Sequence, residues 1–150
     1  MYIKFSKVRD VKTPKRANYT DAGVDFFIPS DFLPTAMQHG DSVLIPSGIK
    51  VEVPVGFALI FHNKSGIASK KNLFVGASVC DAGYSGEVHI NIINNGPTEQ
   101  WVHPGDKIIQ GILIQVPLIE LLEVSEEDLY KDILTTSGRG SGGFGSSGTK

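Results

Sequence analysis

The chain is predicted to be all-β, a barrel or sandwich of many short strands. Short runs of β-type residues recur at about ten-residue spacing, each bounded by turn residues. Several runs alternate apolar and polar residues with period two. Helical patterning is confined to two short stretches.

Residues 2–8 (YIKFSKV) alternate in part. The run 24–28 (VDFFI) stops at Pro29, and 42–45 (SVLI) stops at Pro46-Ser47-Gly48. In 49–53 (IKVEV), Ile49, Val51 and Val53 share a face before Pro54-Val55-Gly56 ends the run; 57–61 (FALIF) follows. Residues 65–71 (SGIASKK) have room for one or two helical turns. Two β-type pieces, 74–80 and 87–93, flank a glycine-rich turn and predict a hairpin. In the second piece Val88, Ile90 and Ile92 face one way, His89 and Asn91 the other. Turns at Asn94-Asn95-Gly96-Pro97 and Pro104-Gly105-Asp106 precede the last strong strand, 108–116 (IIQGILIQV). Ser125-Glu126-Glu127-Asp128 resembles a capping box with Asp in place of Glu or Gln, predicting a short helix through Lys131. Composition changes near Leu134, so a β domain is expected over 1–135 and a glycine-rich arm over 136–150.

With 150 residues, 41% hydrophobic and 20% charged, the chain is expected to form one domain with a real core. A net charge of -2 provides no basic surface for duplex nucleic acid. Cys80 is the single cysteine, which excludes an intrachain disulfide and a cysteine-based metal cluster. The start, MYIKFSKVRDVK, lacks an apolar signal region, and no apolar run approaches the length of a membrane span. A soluble protein of the cytoplasm, or of a host-cell interior if viral, is expected, with no membrane or nucleic-acid partner.

Five segments combine small residues, turns and a few placed polar groups. In Asp21-Ala22-Gly23-Val24-Asp25-Phe26-Phe27, Asp25 lies inside an apolar strand. It needs a partner or a metal-bound water, or it bonds turn amides. In Asn63-Lys64-Ser65-Gly66-Ile67-Ala68, Lys64 and Ser65 begin a short helix. That end suits a phosphate, and it equally suits a plain serine cap with a solvated lysine. In the stretch 75–87, Asp81 ends a strand, where it can hold a water as general base or simply cap a turn. Tyr84 offers a flat face to a sugar or packs a corner. In the stretch 104–110 (PGDKIIQ), the turn opens a strand that carries Gln110, whose partners are substrate oxygens or backbone. The tail 136–150 (TSGRGSGGFGSSGTK) reads as a linker, or as a P-loop-like lid in which Arg139 grips phosphate and Phe144 stacks on a base.

In this order and spacing the five segments resemble the motifs of the homotrimeric dUTPases. The resemblance runs from Asp21 to Lys150 and is most specific in the stretch 75–87 and the tail. It implies a distorted jelly-roll subunit (the dUTPase-like β-clip) assembled as a homotrimer with active sites shared between chains. It implies hydrolysis of dUTP to dUMP and pyrophosphate, which limits uracil incorporation into DNA and supplies dUMP for dTMP synthesis. Asp81 would orient the water that attacks the α-phosphate. Val75, Ser78, Val79, Cys80 and His89 would receive uracil, mostly through main chain, with Tyr84 on the deoxyribose and Phe144 over the base. Lys64, Ser65, Gly66, Gln110, Arg139, Gly145, Ser146 and Ser147 would bind phosphates, and Asp25 would support the phosphate and Mg²⁺ region. Mg²⁺ itself would be held by the triphosphate and water, without an assigned protein ligand.

Four departures stand out. Lys64 replaces the usual arginine and loses its planar fork. Gly83 stands where a second aspartate is usual, Ser78 where glycine is, and Cys80 where an aliphatic residue is commoner. Two other functions compete: a dCTP deaminase of the same fold, and a regulatory protein that binds without turnover. The glycine loop around Phe144 and the retained Asp81, Tyr84 and Gln110 favour the dUTPase reading, and nothing in the sequence indicates a regulatory protein partner.

Overall fold

The computed structural model describes residues 2–131, 142 and 143. The chain divides into two units, Met1–Leu118 and Ile119–Lys150.

Among the described residues, the first unit holds eleven strands and one helix. They are β1 (Lys4–Lys7), β2 (Val24–Phe27), β3 (Thr35–Met37), β4 (Ser42–Pro46), β5 (Ile49–Glu52), β6 (Phe57–Asn63), α1 (Ser65–Lys71), β7 (Leu73–Val75), β8 (Val79–Asp81), β9 (His89–Asn94), β10 (Gln100–Val102) and β11 (Lys107–Gln115). They pair antiparallel in four sheets, ordered β2-β11-β6-β8, β4-β9-β7, β1-β5 and β10-β3. The expected all-β class is present. Among the described residues, however, the strands do not close into one hydrogen-bonded barrel. The strands are short and proline-bounded, and β11 shifts register between Lys107 and Ile109, so no ladder runs far enough to close.

The alternation read in 49–53 and 88–93 is the alternation that buries. Ile49, Val51 and Val53 are buried while Lys50 and Glu52 are exposed. Val88, Ile90 and Ile92 are buried opposite His89 and Asn91. These residues join Phe26, Phe61, Met37, Val102 and Ile109 in one core, with Phe26 and Phe61 edge to face at 5.2 Å. Burial of such side chains is worth roughly 1.5–3 kcal/mol each.

The predicted hairpin of 74–80 with 87–93 is only half formed. β7 pairs with β9, but β8 leaves that sheet and pairs with β6. The chain changes sheets over 76–78. Asn91 Oδ1 accepts the Ala77 N–H at 2.9 Å, and the Phe61 N–H reaches Ser78 O at 2.7 Å. Local pattern cannot reveal this, because Phe61 is a distant competitor for the same backbone. β3 and β10 were not predicted; three residues each is too short for a period to show.

In the second unit, α2 (Glu126–Leu129) is shorter than the predicted helix through Lys131. Ser125 Oγ accepts the Asp128 N–H at 3.2 Å and donates to the Asp128 carboxylate at 2.8 Å. The cap is real, but the Asp side chain is too short to return to the cap backbone. Among the described residues, no helix is long and apolar enough to cross a membrane.

Candidate active site

The four-stranded sheet sets four of the five segments side by side. Asp25 lies on β2, Gln110 on β11, β6 leads into Lys64, and β8 ends at Asp81. Gln110 is opposite Asp25 on one side and His62 on the other. Asp81 is opposite Ala58, four residues back along β6. At about 3.3 Å per residue this separates Asp81 from Gln110 by roughly 13 Å along the strand. Within one chain the site residues therefore form two clusters.

The first cluster surrounds Asp25, which is 3% exposed. Its carboxylate pairs with Lys64 Nζ and lies 3.0 Å from Lys107 Nζ. Burial pushes the Asp25 carboxyl up, but the hydrogen bonds and charges of Lys64 and Lys107 outweigh it and hold the carboxyl below its ordinary value. The partners left open by the sequence are thus two lysines. Lys64, not Ser65, is the N-cap of α1, and it is half-buried rather than solvated. The amides of Ser65 and Gly66 precede the first intrahelical donor, Ile67. Gln110 Nε2 donates to Asn63 O at 2.9 Å, and its Oε1 lies 2.0 Å from where a Gly23 Cβ would be. The backbone reading of Gln110 holds in this state, and Gly23 is the space that its side chain needs.

The second cluster is a cleft of about 250 Å³ lined by Leu44, Phe61, Ala77, Val79, Cys80, Asp81, Tyr84, Val88 and His89. Five of the expected residues meet here: Val79, Cys80, Asp81, Tyr84 and His89. Asp81 is exposed at the end of β8. β8 is a sheet edge. Ser78 O faces β6, so by alternation Val79 turns its backbone N–H and C=O away from β6. Cys80 is buried; burial first, and the Asp81 charge second, push its thiol up, so it stays protonated at neutral pH. Tyr84 N–H donates to Asp81 O at 3.2 Å, closing a turn whose third residue, Gly83, has φ +89°. A Cβ there would meet nothing, so at this position only the positive φ favours glycine. Nothing in the structure explains Ser78 in place of glycine.

A supporting network stands behind the cleft. The Tyr84 hydroxyl donates to Glu87 O at 2.8 Å, passing over Gly86, where a Cβ would lie 2.4 Å from it. His89 Nδ1 is 2.9 Å from the same oxygen. A carbonyl only accepts, so Nδ1 carries the proton. Glu87 Oε1 accepts from Arg9 Nε at 2.8 Å and from the Gly48 N–H at 2.7 Å. Burial raises the Glu87 carboxyl, but Arg9, the Gly48 amide and His89 hold it below its ordinary value. Sequence reasoning missed Arg9 and Glu87. They are 78 positions apart, and each reads locally as a solvated surface charge.

Val75 and Ser78 do not line the cleft; Val75 N–H donates to Asn63 Oδ1 at 2.7 Å, tying β7 to the end of β6. Arg139, Phe144, Gly145, Ser146 and Ser147 lie outside the described residues. Among the described residues, no three His, Cys, Asp or Glu side chains converge to hold a metal ion.

The dUTPase family model matches residues 9–148. A deoxyuridine 5'-triphosphate nucleotidohydrolase of Mycobacterium leprae is 39% identical over 138 residues, covering 90% of this chain and 86% of the relative. One from Mycolicibacterium vanbaalenii is 38% identical over 143 residues, covering 93% and 90%. In fold the chain is similar to a dUTPase of Staphylococcus bacteriophage 80alpha with dUpNHpp, at TM-score 0.83 and 23% identity over 98% of both chains. It is also similar to the dUTPase from phage phi11 of S. aureus, described with a structural Mg(II) ion, at TM-score 0.76 and 23% identity over 84% of this chain and 98% of that one. The motif order, the sheet that aligns four of the motifs and these likenesses agree: the chain belongs to the dUTPase family.

Proposed function

We propose that the chain hydrolyses dUTP to dUMP and pyrophosphate. The observation that carries this reading is the cleft in which exposed Asp81 stands beside Tyr84, His89 and the free backbone edge of β8. The backbone at Val79 presents a donor and an acceptor at fixed spacing to a base edge. Uracil matches such a pattern, whereas cytosine reverses it at two positions and leaves groups unpaired. The Tyr84 ring packs on the deoxyribose and excludes a ribose 2′-hydroxyl. The Asp81 carboxylate accepts a proton from water as the water oxygen bonds to the α-phosphorus. The bond from that phosphorus to the bridging oxygen breaks, and pyrophosphate leaves.

The cluster of Lys64, Lys107, Ser65, Gly66 and Gln110 is the phosphate side. It lies too far along β6 to serve the Asp81 of its own chain. A homotrimer in which one subunit's phosphate cluster faces the next subunit's cleft resolves this. Arg139 and Phe144, with Gly145, Ser146 and Ser147, would close the site from the arm 136–150. Two lysines against one aspartate leave a net positive charge for phosphate oxygens.

The described residues do not fit a resident, protein-held metal, since Asp25 is already engaged by two lysines. No step is routed through one; Mg²⁺ would accompany the triphosphate and neutralise part of its charge. Such an activity would limit uracil in DNA and provide dUMP for dTMP synthesis.

Pyrophosphate release from dUTP, measured for wild type and Asp81→Ala, tests the reading. Loss of a positioned general base is expected to cost roughly 10²–10⁴ in rate. Equal rates, or no release by wild type, would reject it.

A further inference from the structure

We propose that Arg9, which does not line the cleft, is a positioning residue for it, acting through Glu87 on Tyr84 and His89. The inference rests on reading the cleft as the nucleotide site. An exposed ion pair by itself would contribute little. Here the pair is part of a clamp. The Glu87 side chain is only 16% exposed, and one of its oxygens takes both Arg9 Nε and the Gly48 amide. Arg9 is held in turn by Asp31 at 2.8 Å. A carboxylate gripped from two directions fixes the residue that carries it.

That residue's backbone carbonyl is the shared acceptor for two walls of the cleft. It takes the Tyr84 hydroxyl at 2.8 Å and His89 Nδ1 at 2.9 Å. The first bond sets the tilt of the ring expected to meet the sugar. The second sets the histidine tautomer, leaving Nε2 as the acceptor of the neutral ring. Removing Arg9 leaves a mostly buried carboxylate with one donor and takes away the anchor that holds Glu87, and with it the Glu87 carbonyl, in place. The sugar-facing geometry then loosens while Asp81, on the other side of the turn, keeps its place at the end of β8.

The test measures pyrophosphate release from dUTP and UTP by wild type, Arg9→Ala, Arg9→Lys, Tyr84→Phe and the Arg9→Ala/Tyr84→Phe pair. Arg9→Ala is expected to raise KM for dUTP roughly three- to tenfold, with kcat within about twofold, and to narrow the dUTP-over-UTP preference by a similar factor. Arg9→Lys should recover part of both. In the Tyr84→Phe background the hydroxyl link is already absent, so adding Arg9→Ala should change the preference little. An equal narrowing in both backgrounds, or a fall in kcat with the preference unchanged, overturns the proposal. Glu87→Gln is the second variant if Arg9→Ala does not fold, with the same direction expected. Nitrogen NMR of His89 reads the clamp without substrate: wild type protonated at Nδ1, the variants mixed. If wild type releases no pyrophosphate, the dUTPase reading falls, and this spectrum decides alone; an unchanged tautomer overturns the positioning role.

Discussion

Asp81 and Gln110 flank β6 from opposite sides and opposite ends, Asp81 across from Ala58 and Gln110 across from His62. One strand thus holds the Asp81 carboxylate away from its own chain's cluster of Asp25, Lys64 and Gln110. The separation is built into hydrogen-bond register and cannot be removed by side-chain rotation. A chain lacking Asp81 and a chain lacking Gln110 should therefore complement each other. Asp81→Ala and Gln110→Ala, each poorly active alone, are expected to regain pyrophosphate release after unfolding and refolding together. Verified mixed assemblies with no recovery would argue that each chain completes its own site.

The Asp25 cluster predicts acid sensitivity with a definite sign. The folded carboxyl lies below its ordinary value, despite burial, because Lys64 and Lys107 favour the charged form. Its stabilisation is complete above the unfolded value near ~3.9 and disappears as pH falls through the lower folded value. Urea midpoints should fall more steeply below about pH 4 in wild type than in Asp25→Asn. At pH 7 the same substitution should cost about 1–3 kcal/mol, because two partly exposed lysines lose their shared carboxylate. Parallel midpoint curves for the two proteins would contradict this.

Gly76 and Asn91 form a pair that a double substitution can isolate. A Cβ at Gly76 would lie 1.9 Å from Asn91 Oδ1 and 2.9 Å from its Cγ. Gly76→Ala should destabilise by about 1–3 kcal/mol through overpacking. Asn91→Ala removes the obstacle, so the double variant should lose less than the sum of the singles. Additive losses by thermal melting would show that the clash is relieved elsewhere.

Cys80 is buried, and its thiol is pushed up by burial and by Asp81. Thiolate is the reactive form, so the native protein should react slowly with a disulfide reagent at pH 8 and rapidly once unfolded in urea. Rapid native reaction would show that the cleft opens further than its described form.

Local pattern was enough for the strands that alternate and for α1; it marked the segments that carry Asp25, Lys64, Asp81, Tyr84 and Gln110 but left a plain structural reading open for each. It could name these because glycine turns, caps and period-two faces are written within a few neighbouring residues. It was not enough for β3 and β10, which are too short to show a period. It also misjudged the stretch 74–80, whose two ends join different sheets because Phe61 and Asn91 capture the backbone between them. The choice of Lys64 and Lys107 as partners of Asp25, and of Arg9 as the anchor of Glu87, depends on residues 39, 82 and 78 positions apart (64 − 25, 107 − 25 and 87 − 9). A buried charge requires a partner, so the sequence could announce the need at Asp25. Only the packing of β2, β11 and β6 into one sheet could say which side chains arrive to meet it.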